Sequence, residues 1–289
     1  MPEPQIRQIF KARDSHTKPR PILIGMVHTL PLPGSDGFLQ TPSGSARAAI
    51  KDLIEHAVTE AKIYQKHGFD AILIENMHDL PYLNGRVEPE TTAAMTAVAT
   101  RIRSELALPI GLQLLAAANI EALGVALAAD LDFIRAESFV FSHVGDEGMH
   151  DAQAPQLIRR RAQLGARHIQ IFADIKKKHS AHAITQDVPI DEIAHAAAFF
   201  KADGVIVTGR STGQAIDLPD LQVTKKALES HMPRTRVLVG SGVDADNLAT
   251  IAPHADGLIV GSYVKKGGHW ANEIDQARVA NLVDKVNSI

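Results

Sequence analysis

A short β-branched run followed by a longer alanine-rich segment recurs along this chain, and this repeat constrains the fold more than any other feature. The runs have the composition of strands, and the segments between them place apolar residues at helical spacing. In the segment at 44–67, for example, Leu53, Ala57 and Ala61 follow one another at four-residue intervals. The runs predict eight strands, at residues 21–28, 69–76, 109–115, 131–138, 167–175, 203–209, 236–242 and 256–264.

The predicted strands are apolar on both faces, which is typical of a parallel sheet covered by helices. Because no Pro-, Gly- or Ser-rich linker divides the eight units, the sequence predicts an α/β protein with one closed (β/α)8 TIM barrel over residues 21–289. A doubly wound open sheet is the alternative, since a strand count does not by itself prove closure. Residues 1–20 are expected to form an N-terminal extension, with a helix that could plug the bottom of the barrel.

Composition and charge exclude several classes of function. The chain has 30 Lys and Arg against 33 Asp and Glu, so no broad cationic surface is expected for nucleic acid or anionic lipid. The absence of cysteine excludes disulfides, thiolate metal sites and cysteine nucleophiles. No apolar stretch reaches the roughly 20 residues of a membrane span, and the first residues lack a signal-peptide pattern. We therefore expect a cytoplasmic protein, and we expect a homo-oligomer only because symmetric assemblies are common.

Polar residues stand at the ends of the predicted strands, where TIM barrels carry their active sites. A buried charge costs several kcal/mol unless it is paired or hydrated, so these residues require a partner or a function. The carboxylates Glu75, Glu137 and Asp174 are candidates for acid–base work. The alternatives are ion pairs with Arg135, Arg210 or the lysines, or a shared Mg²⁺ ion held by hard oxygen ligands.

Lys176 and Lys178 are candidates for a Schiff-base amine or for a contact with an anionic substrate group. If the strand conformation continues past Asp174, both lysines point to the same side as that carboxylate. A solvated surface is the alternative interpretation of such a lysine run. His28, at the end of the first strand, is either a proton donor or a hydrogen-bonded wall residue. The segment 177–189 is expected to act as a lid.

Glycine–serine turns follow the seventh and eighth predicted strands, where many barrels bind a phosphate group. Glycine allows the backbone to approach an anion closely, and amide N–H groups at a helix start carry partial positive charge. A turn that merely needs glycine is the alternative. A further small-residue turn follows the sixth strand and continues through 211–213. The predicted phosphate-binding residues are Gly240, Ser241, Gly242, Gly261 and Ser262, together with Thr208 and Gly209.

Long segments of the chain resemble the BtpA/SgcQ family of (β/α)8 barrels, from the first strand to the last helix. The segments are GMVHTLPLPGS (25–35), ILIENMHDLPY (72–82), FIRAESFVFSHVGDEG (133–148), ADIKKKHSAHAITQDV (173–188), DGVIVTGRSTGQAIDL (203–218), VLVGSGVDADNL (237–248) and GLIVGSYVKKGGHW (257–270). The resemblance implies a barrel of the ribulose-phosphate-binding group, in agreement with the predicted anion site. It also implies two alternatives: a non-catalytic factor for photosystem I assembly or stability, and a nucleoside triphosphatase. The phosphate loop G-x-x-x-x-G-K-[ST] of many nucleoside triphosphatases does not occur in the sequence.

These observations together predict a metabolic enzyme that binds a small phosphorylated, sugar-phosphate-like substrate at the mouth of the barrel. The expected chemistry is acid–base or lysine-assisted, of a lyase or isomerase type. Metal-dependent chemistry at the three carboxylates is the alternative, and Mg²⁺ would be its cofactor. A scaffold without catalytic activity is the other, because barrels serve many functions.

Overall fold

The computed structural model of the chain describes residues 5–14, 20–40, 45–209 and 216–289. Its strands are β1 (Ile22–His28), β2 (Ala71–Glu75), β3 (Ile110–Gln113), β4 (Phe133–Ala136), β5 (His143–Gly145), β6 (Gly148–His150), β7 (Gln170–Ile175), β8 (Ser180–Ala181), β9 (Gly204–Val207), β10 (Arg236–Val239) and β11 (Gly257–Val260). Its α-helices are α1 (Gln5–Asp14), α2 (Ala46–Lys66), α3 (Pro89–Glu105), α4 (Asn119–Ala128), α5 (Ala154–Gln163), α6 (Ile190–Phe199), α7 (Leu218–His231), α8 (Leu248–Ile251) and α9 (Gln276–Asn287).

Eight parallel strands close into a barrel, in the order β1-β11-β10-β9-β7-β4-β3-β2. Closure is direct, because β1 pairs with β11 on one side and with β2 on the other. Ile22 lies opposite Gly257 in the first pairing, and His28 lies opposite Glu75 in the second. The predicted single barrel is therefore confirmed, and the open doubly wound sheet is wrong.

Buried side chains form two layers, which explains why the strands are apolar on both faces. The larger cluster joins the outward side chains of the strands to the helices. A smaller cluster fills the barrel with alternate strand residues, among them Ile24, Phe133 and Phe172. A methyl group at Gly111 would overlap the ring of Phe133, so this glycine leaves the space that the ring occupies. The barrel interior is thus packed, and an open site can lie only at an end.

The N-terminal helix α1 closes the bottom of the barrel. Its Ile6 and Phe10 belong to the smaller cluster, and Phe10 meets Phe172 edge-on with 6.1 Å between ring centroids. The guanidinium of Arg236 lies over the ring of Phe10, with its central carbon 5.0 Å from the ring centroid. Since α1 covers the N-terminal ends of the strands, the C-terminal ends remain available as a binding mouth.

A small antiparallel sheet lies beside that mouth, and the sequence analysis did not predict it. Strand β5 pairs with β6 and with β8, so the loops after β4 and β7 join in one structure. The expected lid at 177–189 contains β8 and is therefore partly tied down. Among the described helices, none is both long enough and apolar enough to cross a bilayer.

We predict that Phe10→Ala lowers the free energy of unfolding by about 3 kcal/mol or more, because it leaves a cavity under the barrel. Phe10 is 4% exposed, whereas Phe199 at the end of α6 is 68% exposed. The matched variant Phe199→Ala should change the free energy of unfolding by no more than about 0.5 kcal/mol. Urea denaturation measures both, and equal losses would show that α1 is not part of the core.

Candidate active site

A cavity of 220 Å³ lies at the C-terminal mouth of the barrel. It brings together the two groups of residues that the sequence analysis treated separately, the candidate catalytic residues and the glycine–serine turns. The predicted residues that line it are His28, Glu75, Lys178, Gly240, Ser241, Gly242, Gly261 and Ser262. The candidate catalytic residues and the glycine–serine turns therefore line the same cavity.

Arg135 and Asp174 form a buried ion pair in the floor of this mouth. The Nε atom of Arg135 lies 3.2 and 3.1 Å from the two carboxylate oxygens of Asp174, and its Nη2 atom lies 3.1 Å from one of them. The pair forms because β4 and β7 are neighbours and end at the same height. Burial raises the pKa of Asp174, and the adjacent guanidinium opposes that rise. Asp174 thus has the ion-pair role that the sequence analysis gave as its alternative.

His28 and Glu75 face each other across adjacent strands, with Nε2 of the imidazole 3.5 Å from Oε2 of the carboxyl. Burial, together with the charge of Lys265, lowers the pKa of His28 to about 3, so the ring is neutral at neutral pH. Nδ1 lies 3.2 Å from the backbone oxygen of Trp270. Since a carbonyl oxygen only accepts, Nδ1 carries the proton and Nε2 presents its lone pair to Glu75.

Burial also raises the pKa of Glu75, although Arg135 and Lys178 act in the opposite direction. A carboxyl group of raised pKa therefore faces an imidazole nitrogen that lacks a proton. This pairing of an acid with a base of different pKa is the arrangement that proton-transfer catalysts use.

A second buried ion pair holds the end of β1, and the sequence analysis gave no role to its acid. One carboxylate oxygen of Glu60 binds Nζ of Lys265, and the other accepts a hydrogen bond of 3.3 Å from the backbone N–H of His28. Lys265 is only 1% exposed. Glu60 lies on α2 among residues at helical spacing, so nothing in the sequence distinguishes it from a surface acid.

The two candidate lysines separate at the end of β7. The strand ends at Ile175, and Lys176 has a φ angle of 47°. The extended conformation therefore does not continue past Asp174 to both lysines, as the sequence analysis assumed. That assumption is wrong, and the structure places Lys176 outside the cavity lining. Its charge acts instead on Asp220 of α7, where it opposes the burial that raises the pKa of that carboxyl.

Lys178, by contrast, lines the cavity and is half-buried. Its ammonium group forms no hydrogen bond or ion pair with any residue that the structure describes, and only its backbone oxygen accepts a hydrogen bond, from Ser180. Burial lowers the pKa of its ammonium group, and the neighbouring charge of Arg135 lowers it further. An amine in this state is more often neutral than a surface lysine and is therefore a better nucleophile.

Glu137 is buried behind the cavity and does not line it. Its Oε1 atom lies 3.5 Å from Nζ of Lys177, and its Oε2 atom accepts a hydrogen bond of 2.9 Å from the backbone N–H of Ala117. Lys177 also lies 3.7 Å from Glu147 in the loop between β5 and β6. These contacts hold the loops after β3, β4 and β7 together, so Glu137 has a structural position.

The proposed shared metal ion finds little support in the geometry of the carboxylates. Asp174 is engaged by Arg135, and Glu137 is engaged by Lys177 and a backbone amide. Within the ranges that the structure describes, no group of three or more His, Cys, Asp or Glu residues is arranged to hold a metal ion. Metal-dependent chemistry stays an untested alternative.

The glycine–serine turns form another part of the cavity wall, and a Cβ atom at Gly261 would lie 3.6 Å from Nε2 of His28. A Cβ atom at Gly240 would lie 2.5 Å from Cγ2 of Ile206 and 3.2 Å from Nη2 of Arg135, so glycine is required for the turn to pass Ile206 and brings it close to the guanidinium. Ser241 fixes the turn by accepting a hydrogen bond of 2.9 Å from the backbone N–H of Gly209.

Thr208 and Gly209 adjoin this turn without lining the cavity. The buried Oγ1 of Thr208 has no hydrogen-bond partner among the described residues. The continuation at 211–213 and the candidate partner Arg210 lie outside the described residues.

Arg278 lines the same cavity, and the sequence analysis missed it. It lies in the first turn of α9, which the chain reaches after the loop that follows β11. Nothing in the sequence distinguishes a single arginine on a helix from a surface residue. Only the fold shows that Arg278 lines the same cavity as the turn at Gly261.

The sequence profile of the BtpA family matches residues 18–288 of this chain. A mitochondrial protein of Caenorhabditis elegans, described only as uncharacterised, is 43% identical over 275 residues, which cover 93% of this chain and 94% of that protein. The photosystem I biogenesis protein BtpA of Synechocystis is 31% identical over 262 residues, which cover 91% of this chain and 86% of that protein. The resemblance found in the sequence is thereby confirmed.

Solved structures of TIM-barrel enzymes share the fold. N-(5'-phosphoribosyl)anthranilate isomerase from Pyrococcus furiosus superposes with a TM-score of 0.56 at 14% identity, covering 93% of this chain and 100% of that one. Orotidine 5'-phosphate decarboxylase from Pyrococcus horikoshii superposes with a TM-score of 0.53 at 14% identity, covering 92% and 100%. At these identities the likeness establishes the architecture alone.

We predict that His28 makes the stability of the protein fall as the pH falls. The pKa of His28 is about 3 in the folded chain and about 6.5 in the unfolded chain, so the unfolded chain binds the extra proton first. Stability is therefore fully present above about pH 6.5 and is lost towards pH 3, by about 1.4 kcal/mol per pH unit for this group.

Urea denaturation across that pH range should show a shallower loss in His28→Gln than in the wild type. The control His231→Gln, which removes an exposed imidazole on α7, should keep the wild-type slope. Identical slopes in the wild type and His28→Gln would contradict a buried neutral imidazole at position 28.

Proposed function

The chain belongs to the BtpA family, and we propose that it is an enzyme that acts on a small phosphorylated carbonyl compound at the mouth of its barrel. One observation carries the proposal: a single cavity holds an unpaired lysine and an acid–base pair beside two glycine–serine turns. Two proteins that share the fold are named for phosphorylated substrates, phosphoribosylanthranilate and orotidine 5'-phosphate, which supports this class of ligand.

The phosphate group binds between the turn at 240–242 and the turn at 261–262. Glycine at these positions leaves the backbone open to close approach, and amide N–H groups there can donate to phosphate oxygens. The cavity volume of 220 Å³ suits a metabolite of a few carbon atoms better than a nucleotide.

Lys178 supplies the nucleophile. Its neutral amine attacks the carbonyl carbon, a C–N bond forms, and the electron pair of the C=O π bond moves to oxygen. Glu75 donates a proton to that oxygen and becomes a carboxylate, one of the two protons on nitrogen moves to the resulting hydroxyl, and the C–O bond breaks to release water and leave an iminium ion. The iminium withdraws electrons from the neighbouring carbon, which prepares either proton removal there or cleavage of a carbon–carbon bond.

His28 and Glu75 carry the proton-transfer steps. Because the backbone oxygen of Trp270 holds the proton on Nδ1, the Nε2 atom of His28 faces Glu75 and acts as a proton relay, and the carboxylate that Glu75 forms after donating its proton is the stronger base of the two. Glu75, once it has given up its proton, can recover one from the protonated imidazole at 3.5 Å. The pair thus moves a proton between substrate atoms without requiring solvent, as isomerases and lyases do.

Lysine-assisted chemistry is favoured over a metal-dependent reaction, because Lys178 lines the cavity while Asp174 and Glu137 are engaged in ion pairs. A metal-dependent reaction requires that activity be lost with EDTA and restored by Mg²⁺, whereas an imine mechanism is indifferent to chelation. The other alternative is a scaffold without catalytic activity. The name photosystem I biogenesis protein belongs to the Synechocystis relative, and none of the described residues at the barrel mouth points to a scaffold rather than an enzyme.

We predict that borohydride traps a substrate on Lys178. The full chain is incubated with a panel of short-chain aldehyde and ketone phosphates and reduced, and its intact mass is measured. An adduct equal to the ligand mass less one oxygen atom is expected in the wild type and absent in Lys178→Met. The matched variant Lys176→Met removes a lysine outside the cavity and should be labelled like the wild type. Failure to form an adduct with any panel member, or labelling at Lys176, would exclude the imine at Lys178.

We predict that inorganic phosphate stabilises the folded protein, by about 2.7 kcal/mol at a concentration one hundred times its Kd. Gly261→Val should abolish this effect, because its side chain projects into the cavity at the proposed phosphate site, where the Cβ atom makes a tight contact of 3.3 Å with Cγ of Met26. The matched variant Gly124→Val places the same side chain in open space on α4 and should keep the effect. Thermal unfolding at constant ionic strength measures both, and an unchanged phosphate shift in Gly261→Val would refute this placement.

A further inference from the structure

Arg278 differs from the other two cations that line the cavity. The charge of Arg135 is balanced by Asp174, and Lys178 lies at the end where its amine is needed as a nucleophile. Arg278 forms no ion pair with any carboxylate that the structure describes, and it is half-buried. A half-buried guanidinium is always charged, so an uncompensated one in a cavity wall attracts an anion.

Tyr263 holds this guanidinium in place. The Nε atom of Arg278 donates a hydrogen bond of 2.5 Å to the backbone oxygen of Tyr263, and the guanidinium carbon lies 4.6 Å from the centroid of its ring. Asn281 donates a hydrogen bond of 3.2 Å to the hydroxyl of the same tyrosine. The terminal nitrogens of Arg278 are left without a hydrogen bond to any described residue, in a fixed position beside the turn at 261–262.

The acids nearest to Arg278 along the chain and in the cavity are engaged elsewhere. Asp275 accepts hydrogen bonds of 3.0 and 3.3 Å from the backbone N–H groups of Ala277 and Arg278, and so serves as the N-cap of α9. Asp244 lines the cavity, and its Oδ1 accepts two hydrogen bonds of 2.8 Å from the backbone of its own turn.

We propose that Arg278 binds the phosphate of the substrate through its terminal nitrogens and makes this end of the cavity select a doubly charged phosphate monoester over a singly charged carboxylate. Two parallel hydrogen bonds to phosphate oxygens match the planar guanidinium, and a second negative charge strengthens both of them. This inference rests on the proposed function and adds the residue that recognises the ligand's charge.

The test measures the affinity of the full chain for inorganic phosphate and for acetate by calorimetry, at constant ionic strength and at a pH where phosphate is a dianion. In Arg278→Met, phosphate affinity should fall roughly tenfold to a hundredfold, and acetate affinity should fall less. Arg278→Lys should recover part of the loss, because it restores the charge without the planar pair of donors. Lys266→Met, which removes an exposed cation of the same loop, should bind both anions like the wild type.

Two outcomes would overturn the inference and leave the phosphate site in place: wild-type phosphate affinity in Arg278→Met while Gly261→Val has lost it, or equal losses of phosphate and acetate. Absence of phosphate binding in the wild type would instead refute the proposed function itself. Because Arg278 packs on Tyr263, the urea midpoint of each variant is measured first, and Arg278→Lys decides the question if Arg278→Met is unfolded.

Discussion

The guanidinium of Arg135, 4% exposed inside the barrel mouth, determines the state of the charged groups around it. A charge in this position costs several kcal/mol unless it is paired, and Asp174 supplies the pair. The charge of Arg135 also helps to lower the pKa of Lys178, which leaves that amine less often protonated. Gly240 also lies against this side chain, since a Cβ atom there would be 3.2 Å from Nη2 and 2.5 Å from Cγ2 of Ile206. The proposed nucleophile and the proposed phosphate turn therefore both lie against one buried cation.

The barrel was predictable because its physical cause lies in local patterns. Strands buried on both faces must be apolar throughout, and the covering helices must show helical spacing, so both appear in the sequence. Residues at the ends of neighbouring parallel strands then meet without further information, as His28 and Glu75 do. Local patterns alone do not predict that the barrel closes, because closure depends on the pairing of the first barrel strand with the last, where Ile22 lies opposite Gly257.

The parts of the site that the sequence did not reveal depend on single backbone angles or on residues from helices. A positive φ at Lys176 redirects the chain, and no strand pattern indicates where an extended conformation ends. Glu60 and Arg278 lie on helices, where a charged residue ordinarily faces solvent. The sheet formed by β5, β6 and β8 has strands of two or three residues, which are too short for alternation to be recognised.

The loop after β11 connects the two ends of the cavity. Its first part, at 261–263, contains the proposed phosphate turn and holds Arg278, while its later residue Lys265 binds Glu60, which in turn accepts a hydrogen bond from the backbone N–H of His28. In the proposed function, a phosphate bound at this turn is therefore anchored to the same segment that positions His28. Binding energy from a group that does not react can in this way be used to align the reacting carbon with Lys178 and His28, which is how remote contacts raise the rate of a chemical step. The arrangement favours substrates whose phosphate and carbonyl are held at one fixed separation.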